Sequence, residues 1–243
     1  GDIGVTLSAT EPLSVGVDIR RLDGTLRSQP LAGSGALQVA GALVERADLE
    51  LSLGANRVDL DTRDGSDWQI VIAAERLGQL WPGLTGGLRG SATFEPPERQ
   101  LTWSIESDGM GWTDKRLASM NSTGTAHWGE RPNVDARIQA ADVDLNPWER
   151  LDSLSLTLSG DCTAHQLDAA FTGMHAEMDF MLTGSLAGCL RATEGWAGVV
   201  RELTFAETPL GQWQLDQNLP IQVRDGVVTV GAGCLWTPAD SGR

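Results

Sequence analysis

The stretch Gly195–Trp236, GWAGVVRELTFAETPLGQWQLDQNLPIQVRDGVVTVGAGCLW, decides the fold class through its spacing. Leu203 and Phe205, Trp213 and Leu215, Ile221 and Val223, and Val228 and Val230 alternate with polar or small residues, which is the period of a half-buried strand. Breaks fall at Thr208-Pro209-Leu210-Gly211, Asn218-Leu219-Pro220 and Asp225-Gly226. An Asp-Gly pair between alternating runs marks a tight antiparallel hairpin, because its turn needs positive φ at both central positions. The segment reads as an antiparallel meander, with no catalytic constellation in it.

The same period runs upstream. It appears at Val5 and Leu7, at Val15, Val17 and Ile19, at Leu37 and Val39, at Leu49 to Leu53, at Val58 and Leu60, and at Trp68 to Ile72. Turns are expected at Leu22-Asp23-Gly24 and Arg63-Asp64-Gly65. Leu88 to Phe94 and Leu101, Trp103 and Ile105 continue the pattern to a turn at Ser107-Asp108-Gly109, and Trp112 to Trp128 holds one long or two short strands. The last third is the most regular: Leu154, Leu156 and Leu158, then Leu167, Ala169 and Phe171, then Ala176, Met178, Phe180 and Leu182, with turns at Ser159-Gly160-Asp161 and Thr172-Gly173-Met174.

Period two stops once. Leu77, Leu80, Trp81 and Leu84 fall at three- and four-residue spacing, as on one side of a helical turn, and Pro82 and Gly83 end it. Laying residues 68–84 on 134–150 aligns Ile72-Ala73-Ala74 with Ile138-Gln139-Ala140 and Trp81-Pro82 with Pro147-Trp148. Chance between two Ala- and Leu-rich segments explains this as well as a repeat does. A repeat would place short helical turns near both 76–84 and 143–151. The organisation expected is residues 1–25 ending a preceding β-repeat, 26–150 forming a repeat region, and 151–243 continuing it as a meander.

Of 243 residues, 41% are hydrophobic, so the chain is not disordered. Lys and Arg total 18 against 33 Asp and Glu, a net charge of −15 that repels nucleic acid and anionic membrane surfaces. No apolar run approaches the length of a transmembrane helix, and the first residues lack the pattern of a signal peptide. The chain reads as a piece of a longer one. His127, His165 and His175 are scattered and read as ordinary surface or turn residues. Asp59, Asp61 and Asp64 miss the spacing of a calcium loop, and Gly83, Gly86, Gly87 and Gly90 lack the Lys of a phosphate loop. Cys162, Cys189 and Cys234 show no zinc spacing. No catalytic residue, metal or cofactor is expected. If the hairpin after Phe171 turns near Gly173 or Met174, its register carries Cys189 back toward Cys162, close enough for a disulfide in an oxidising compartment.

Nearly every strand has one apolar face, yet no long amphipathic helix exists to cover it. A sheet can then pack on another sheet, close into a barrel, or curl into a trough around a ligand. About fifteen strands stacked along one axis would extend roughly 70 Å, natural for a conduit.

Four patches carry a resemblance: Leu80–Gly90 (LWPGLTGGLRG), Gly160–Leu167 (GDCTAHQL), Gly195-Trp196-Ala197-Gly198 leading to Thr208–Leu215 (TPLGQWQL), and Gly233-Cys234-Leu235-Trp236. In their order and spacing the chain resembles the middle of a protein of the TamB family, among the AsmA-like bridge proteins, over most of residues 26–243. The resemblance implies an elongated β-taco, a sheet curled along its length around a hydrophobic groove. It further implies a periplasmic segment of a Gram-negative protein anchored in the inner membrane, meeting a TamA-like outer-membrane partner, carrying phospholipid and supporting insertion of autotransporters. The family often has a second cysteine after the Cys-Trp-like element, which implies a partner for Cys234 beyond Arg243. Leu235 between Cys234 and Trp236 departs from the pattern, and Cys162 and Cys189 are not general family features.

The groove candidates are Leu154, Leu156, Leu158, Leu167, Phe171, Met178, Phe180, Leu182, Leu203 and Phe205, with Trp213 lining it or at its rim. Phospholipid acyl chains are the expected occupants. The competing readings are a non-enzymatic β-scaffold or adhesin-like domain with a closed, dry core, and an enzyme whose convergent cluster of His and carboxylates is invisible in sequence.

Overall fold

The alternating runs become strands. The computed structural model describes residues 2–8, 14–40, 43–63, 67–130, 132–146, 149–161, 163–191, 195–208, 211–224 and 226–237. Among these it holds nineteen strands and one four-residue helix, and the strands pair antiparallel. The all-β antiparallel meander expected from the sequence is therefore the architecture. It divides into two compact units, residues 1–113 and 114–243.

The first unit holds β1 (Asp2–Ser8), β2 (Ser14–Leu26), β3 (Gln29–Ala40), β4 (Leu43–Leu53), β5 (Asn56–Arg63), β6 (Asp67–Ala74), α1 (Leu77–Leu80), β7 (Leu84–Thr85), β8 (Leu88–Glu95) and β9 (Gln100–Trp112). Register lines up one apolar face across it. Leu22, Gly33, Leu51, Val58, Ile72, Gly90 and Ile105 stand opposite one another in turn from β2 to β9. Two glycines stand in this row where a neighbouring side chain leans across: a Cβ at Gly33 would sit 2.6 Å from Leu51 Cδ2.

The helical turn is the tightest part of this unit. Leu77 and Ala74 are buried, and so are two polar side chains, Asn56 at 4% exposure and Ser107 at 2%. Both are bonded, as burial requires. Asn56 Nδ2 donates to Leu53 O at 3.0 Å and Gln79 Oε1 at 3.2 Å, its Oδ1 accepts from Arg76 N at 3.1 Å, and Ser107 Oγ donates to Gly87 O at 2.6 Å. On the rim, the Arg27 guanidinium lies 5.5 Å from the centre of the Trp81 ring.

The second unit holds β10 (Lys115–His127), β11 (Asn133–Asn146), β12 (Glu149–Asp161), β13 (His165–His175), β14 (Met178–Arg191), β15 (Gly195–Thr208), β16 (Gly211–Leu215), β17 (Leu219–Arg224), β18 (Val227–Val230) and β19 (Leu235–Trp236). β10 through β15 pair in order, β17 continues from the start of β15, and β16 pairs its end.

Several expectations are corrected. No helical turn forms at 143–151 among the described residues: β11 runs through Asn146 and β12 starts at Glu149, because Val143 and Leu145 keep the strand alternation. The repeat between 68–84 and 134–150 therefore holds only for its strand half. Four turns come later than the glycines suggested. β2 continues to a turn at Arg27 and Ser28, β9 to Thr113, β12 to Asp161, and β13 to Ala176 and Glu177, with positive φ at Arg27, Ser28, Thr113, Ala176 and Glu177. Trp112 to Trp128 holds one long strand, β10, and the Arg63-Asp64-Gly65 turn lies largely outside the described residues.

Candidate functional site

In the second unit, directly paired residues share a face, so the ladders trace rows across the sheet. Met120, Ala140, Leu154, Phe171, Leu182, Phe205 and Trp213 form one row from β10 to β16. Ser122, Ile138, Leu156, Ala169, Gly184 and Leu203 form the next, and Gly124, Ala136, Leu158, Leu167, Leu186, Val200 and Leu219 the third. Phe180 lies opposite Gly173, and Met178 opposite His175, on the same face. All ten groove candidates thus stand on one face, with Trp213 beside Phe205.

Two bulges keep it continuous. Leu151 and Leu154 are three apart, as are Val200 and Leu203, and strict alternation would put the members of each pair on opposite faces. Register shifts between Leu151 and Ser153 against β13, and between Ser185 and Leu186 against β15, insert the extra residue that returns them to one face.

This face is not a closed core. Among the described residues of the second unit no hydrophobic side chain is fully buried; the three that are, Ala47, Ala74 and Leu77, all belong to the first. Met178, which stands on this face, is 44% exposed. Two apolar hollows indent the face. One, of about 450 Å³, is lined by Leu145, Leu151, Met174, Met178, Phe180 and Phe205, with Glu149, Arg150, His175 and Asp179 at its edge. The other, of about 350 Å³, lies where the strands end opposite, among Trp128, Val134, Leu158, His165 and Trp196. Charge is kept to the margins: Arg150 pairs with Asp142 and Asp152, and His175 Nδ1 lies 3.4 Å from Glu149. The Arg150 guanidinium is held above its ordinary range by its hydrogen bond to Asp142 and by the neighbouring Asp carboxylates.

His165 is the residue the sequence reading missed. Its Nε2 accepts the Trp196 indole N–H at 2.6 Å, and it sits on the apolar face. Parity carried the signal, since His165 is two residues from Leu167 and four from Ala169. Cys189 is a free, half-buried thiol, and Cys162 lies outside the described residues. Cys234 is free and exposed, its amide donating to Asp216 Oδ1 at 3.0 Å. Asp59 and Asp61 stand in β5 opposite Glu50 and Asp48, and no metal-competent cluster occurs among the described residues.

An antiparallel meander with one indented apolar face and no fully buried hydrophobic side chain among the described residues of its second unit defines a β-sheet protein rather than one built around a helical core. Residues 3–241 match the family described as TamB, N-terminal domain, and the chain belongs to the TamB family. The match is to the family's N-terminal domain, where the sequence patches had pointed to the middle of such a protein. This is a transport and assembly family of the bacterial envelope. No curated protein and no solved structure matches the chain. No helix among the described residues is long and apolar enough to cross a membrane.

Proposed function

We propose that this chain is a periplasmic segment of a TamB-like protein whose apolar face carries phospholipid acyl chains between the inner and outer membranes. The observation that supports this is the set of largely apolar rows running across β10 to β16, with no hydrophobic side chain among the described residues of the second unit fully buried. Each methylene laid on such a face gains about 0.8 kcal/mol by leaving water. A head group stays at the edge, where its solvation costs nothing. The movement is passive, without covalent chemistry or nucleotide hydrolysis. The full-length protein, anchored in the inner membrane and meeting a TamA-like outer-membrane partner, would also support assembly of autotransporter-type proteins.

The test is mass spectrometry of lipids co-purifying with the chain, alongside photo-crosslinking to a lipid carrying a diazirine acyl chain. Phe180→Arg and Leu156→Arg set a charge among the rows and are expected to abolish both lipid recovery and crosslinking while circular dichroism stays that of β-sheet. Undiminished crosslinking in both variants would overturn the reading.

A further inference from the structure

At one end of the second unit the rows reach a place with almost no side chains: Gly160, His165, Gly188, Gly198 and Ile221 stand opposite one another across β12, β13, β14, β15 and β17. Trp196 fills it. Its indole crosses from β15 over β14, so that a Cβ at Gly188 would lie 2.4 Å from Trp196 Cζ2 and one at Gly198 2.3 Å from Cη2. The glycines are thus the seat of the ring, and the same two residues line a hollow on the opposite face of the sheet. At this point the backbone and one indole are all that separates the two faces.

We propose that Trp196 and His165 form a protonation-controlled latch that holds the indole on this seat. The Trp196 N–H can only donate, and it meets His165 Nε2 at 2.6 Å, so Nε2 carries no proton. The imidazole proton is then on Nδ1, which donates to Asp161 O at 3.3 Å. The latch is closed with neutral His165 in this tautomer. Protonation puts an N–H on Nε2 and sets two donors against each other, while Nδ1 keeps its acceptor. The imidazole stays and the indole leaves. Asp161 on β12 is the carboxylate that borders the hollow; His127 on β10 shares it, and β11 brings only the uncharged Asn133 and Val134. Cys189 and Arg201 line the hollow on the opposite face of the sheet. Opening would join the 350 Å³ hollow to the glycine row. Imidazole is the side chain whose charge changes in mildly acidic conditions, which makes acidity the signal.

The test follows the Trp196 indole N–H in ¹H–¹⁵N spectra of the whole chain from about pH 8 to about pH 5, the window in which imidazoles change charge, the resonance being assigned by its loss in Trp196→Phe. On acidification it should move upfield and exchange faster with water, while the other indole resonances stay. His165→Gln, which offers an amide oxygen at similar reach and cannot titrate, should abolish the movement; His127→Gln should leave it. A resonance that does not move in the wild-type chain, moves equally in His165→Gln, or stops moving in His127→Gln overturns the latch. The imidazole ¹⁵N shifts of the wild-type chain stand independently of any variant: an Nε2–H tautomer at neutral pH also overturns it.

Discussion

Gly173 on β13 stands against the backbone of Leu151 on β12 with no room for a side chain: a Cβ there would lie 2.8 Å from Leu151 Cα and 2.2 Å from Arg150 O. This is the bulge that turns Leu151 onto the same face as Leu154. Gly173→Ala should therefore force the two strands apart and lower stability by about 1–3 kcal/mol, the usual cost of overpacking. Chemical denaturation measures it, and a wild-type midpoint would show that the bulge is not a close approach.

An open apolar face and a closed core differ in what truncation costs. Leu182 lies between Phe171 and Phe205 in the row that runs from Met120 to Trp213 and is only half-buried. In a closed core Leu→Ala costs about 2–5 kcal/mol, through lost transfer energy and a cavity. Here one side already meets solvent, so no enclosed cavity forms and Leu182→Ala should cost about 1 kcal/mol. A loss in the upper range would mean that the face is covered.

The α1 turn depends on one amide. Gln79 Oε1 accepts from Ala55 N at 2.7 Å and from Asn56 Nδ2 at 3.2 Å, and Asn56 is nearly sealed from water. Gln79→Ala leaves a donor at Ala55 without its acceptor, a cost of about 1–3 kcal/mol. Asn56→Ala should cost similarly, and the double variant less than the sum, since both act on one network. Strict additivity in thermal unfolding would contradict the shared network.

On the polar face of the first unit, Asp48 stands opposite Asp61 and Glu50 opposite Asp59. Arg57 answers the second pair, at 3.1 Å from Glu50 and 2.8 Å from Asp59. The first pair is like charge facing like. Asp61→Lys should thus stabilise the chain by about 0.2–1 kcal/mol at low salt, with the gain shrinking as salt is added. A salt-independent change would point to something other than charge.

Fold class and the apolar face were legible because they rest on alternation, which a half-buried strand enforces residue by residue. Phe171, Leu182 and Phe205 could be assigned to one face without knowing any register. The tight turn between β17 and β18 was legible from Asp225-Gly226, but four other turn positions were not, for a physical reason. Gly24, Gly109, Gly160 and Gly173 lie within strands, and the last two are where a neighbouring backbone comes too close for a Cβ. Arg27, Ser28, Ala176 and Glu177 make the turns instead, against their intrinsic preference. The second helical turn failed similarly, since Trp and Pro near 147–148 said less than the alternation of Val143 and Leu145. His165 escaped notice because its role depends on an indole 31 residues away, and only the register of three strands brings them together.

The turn that leads into His165 is itself acid-sensitive. Asp161 Oδ1 accepts from Thr163 Oγ1 at 2.6 Å, Thr163 N at 2.7 Å and Ala164 N at 2.7 Å, and Asp161 N donates to Ala164 O at 2.9 Å. The Thr163 hydroxyl bond, then the two amides, and finally the charge of His165 hold the carboxyl below its ordinary 3.8. The folded chain therefore binds this proton less readily than the unfolded one. The turn's contribution is complete above about pH 3.8 and drains away as pH falls through the lower folded value. The ¹³C carboxyl titration of Asp161 should have its midpoint below 3.8, with the Thr163 and Ala164 amides losing protection from hydrogen exchange over the same range. Asp161→Asn should remove that pH dependence while leaving the rows at Leu158 and Leu167 unchanged. A midpoint at or above 3.8 would mean that the carboxylate is not what closes the turn.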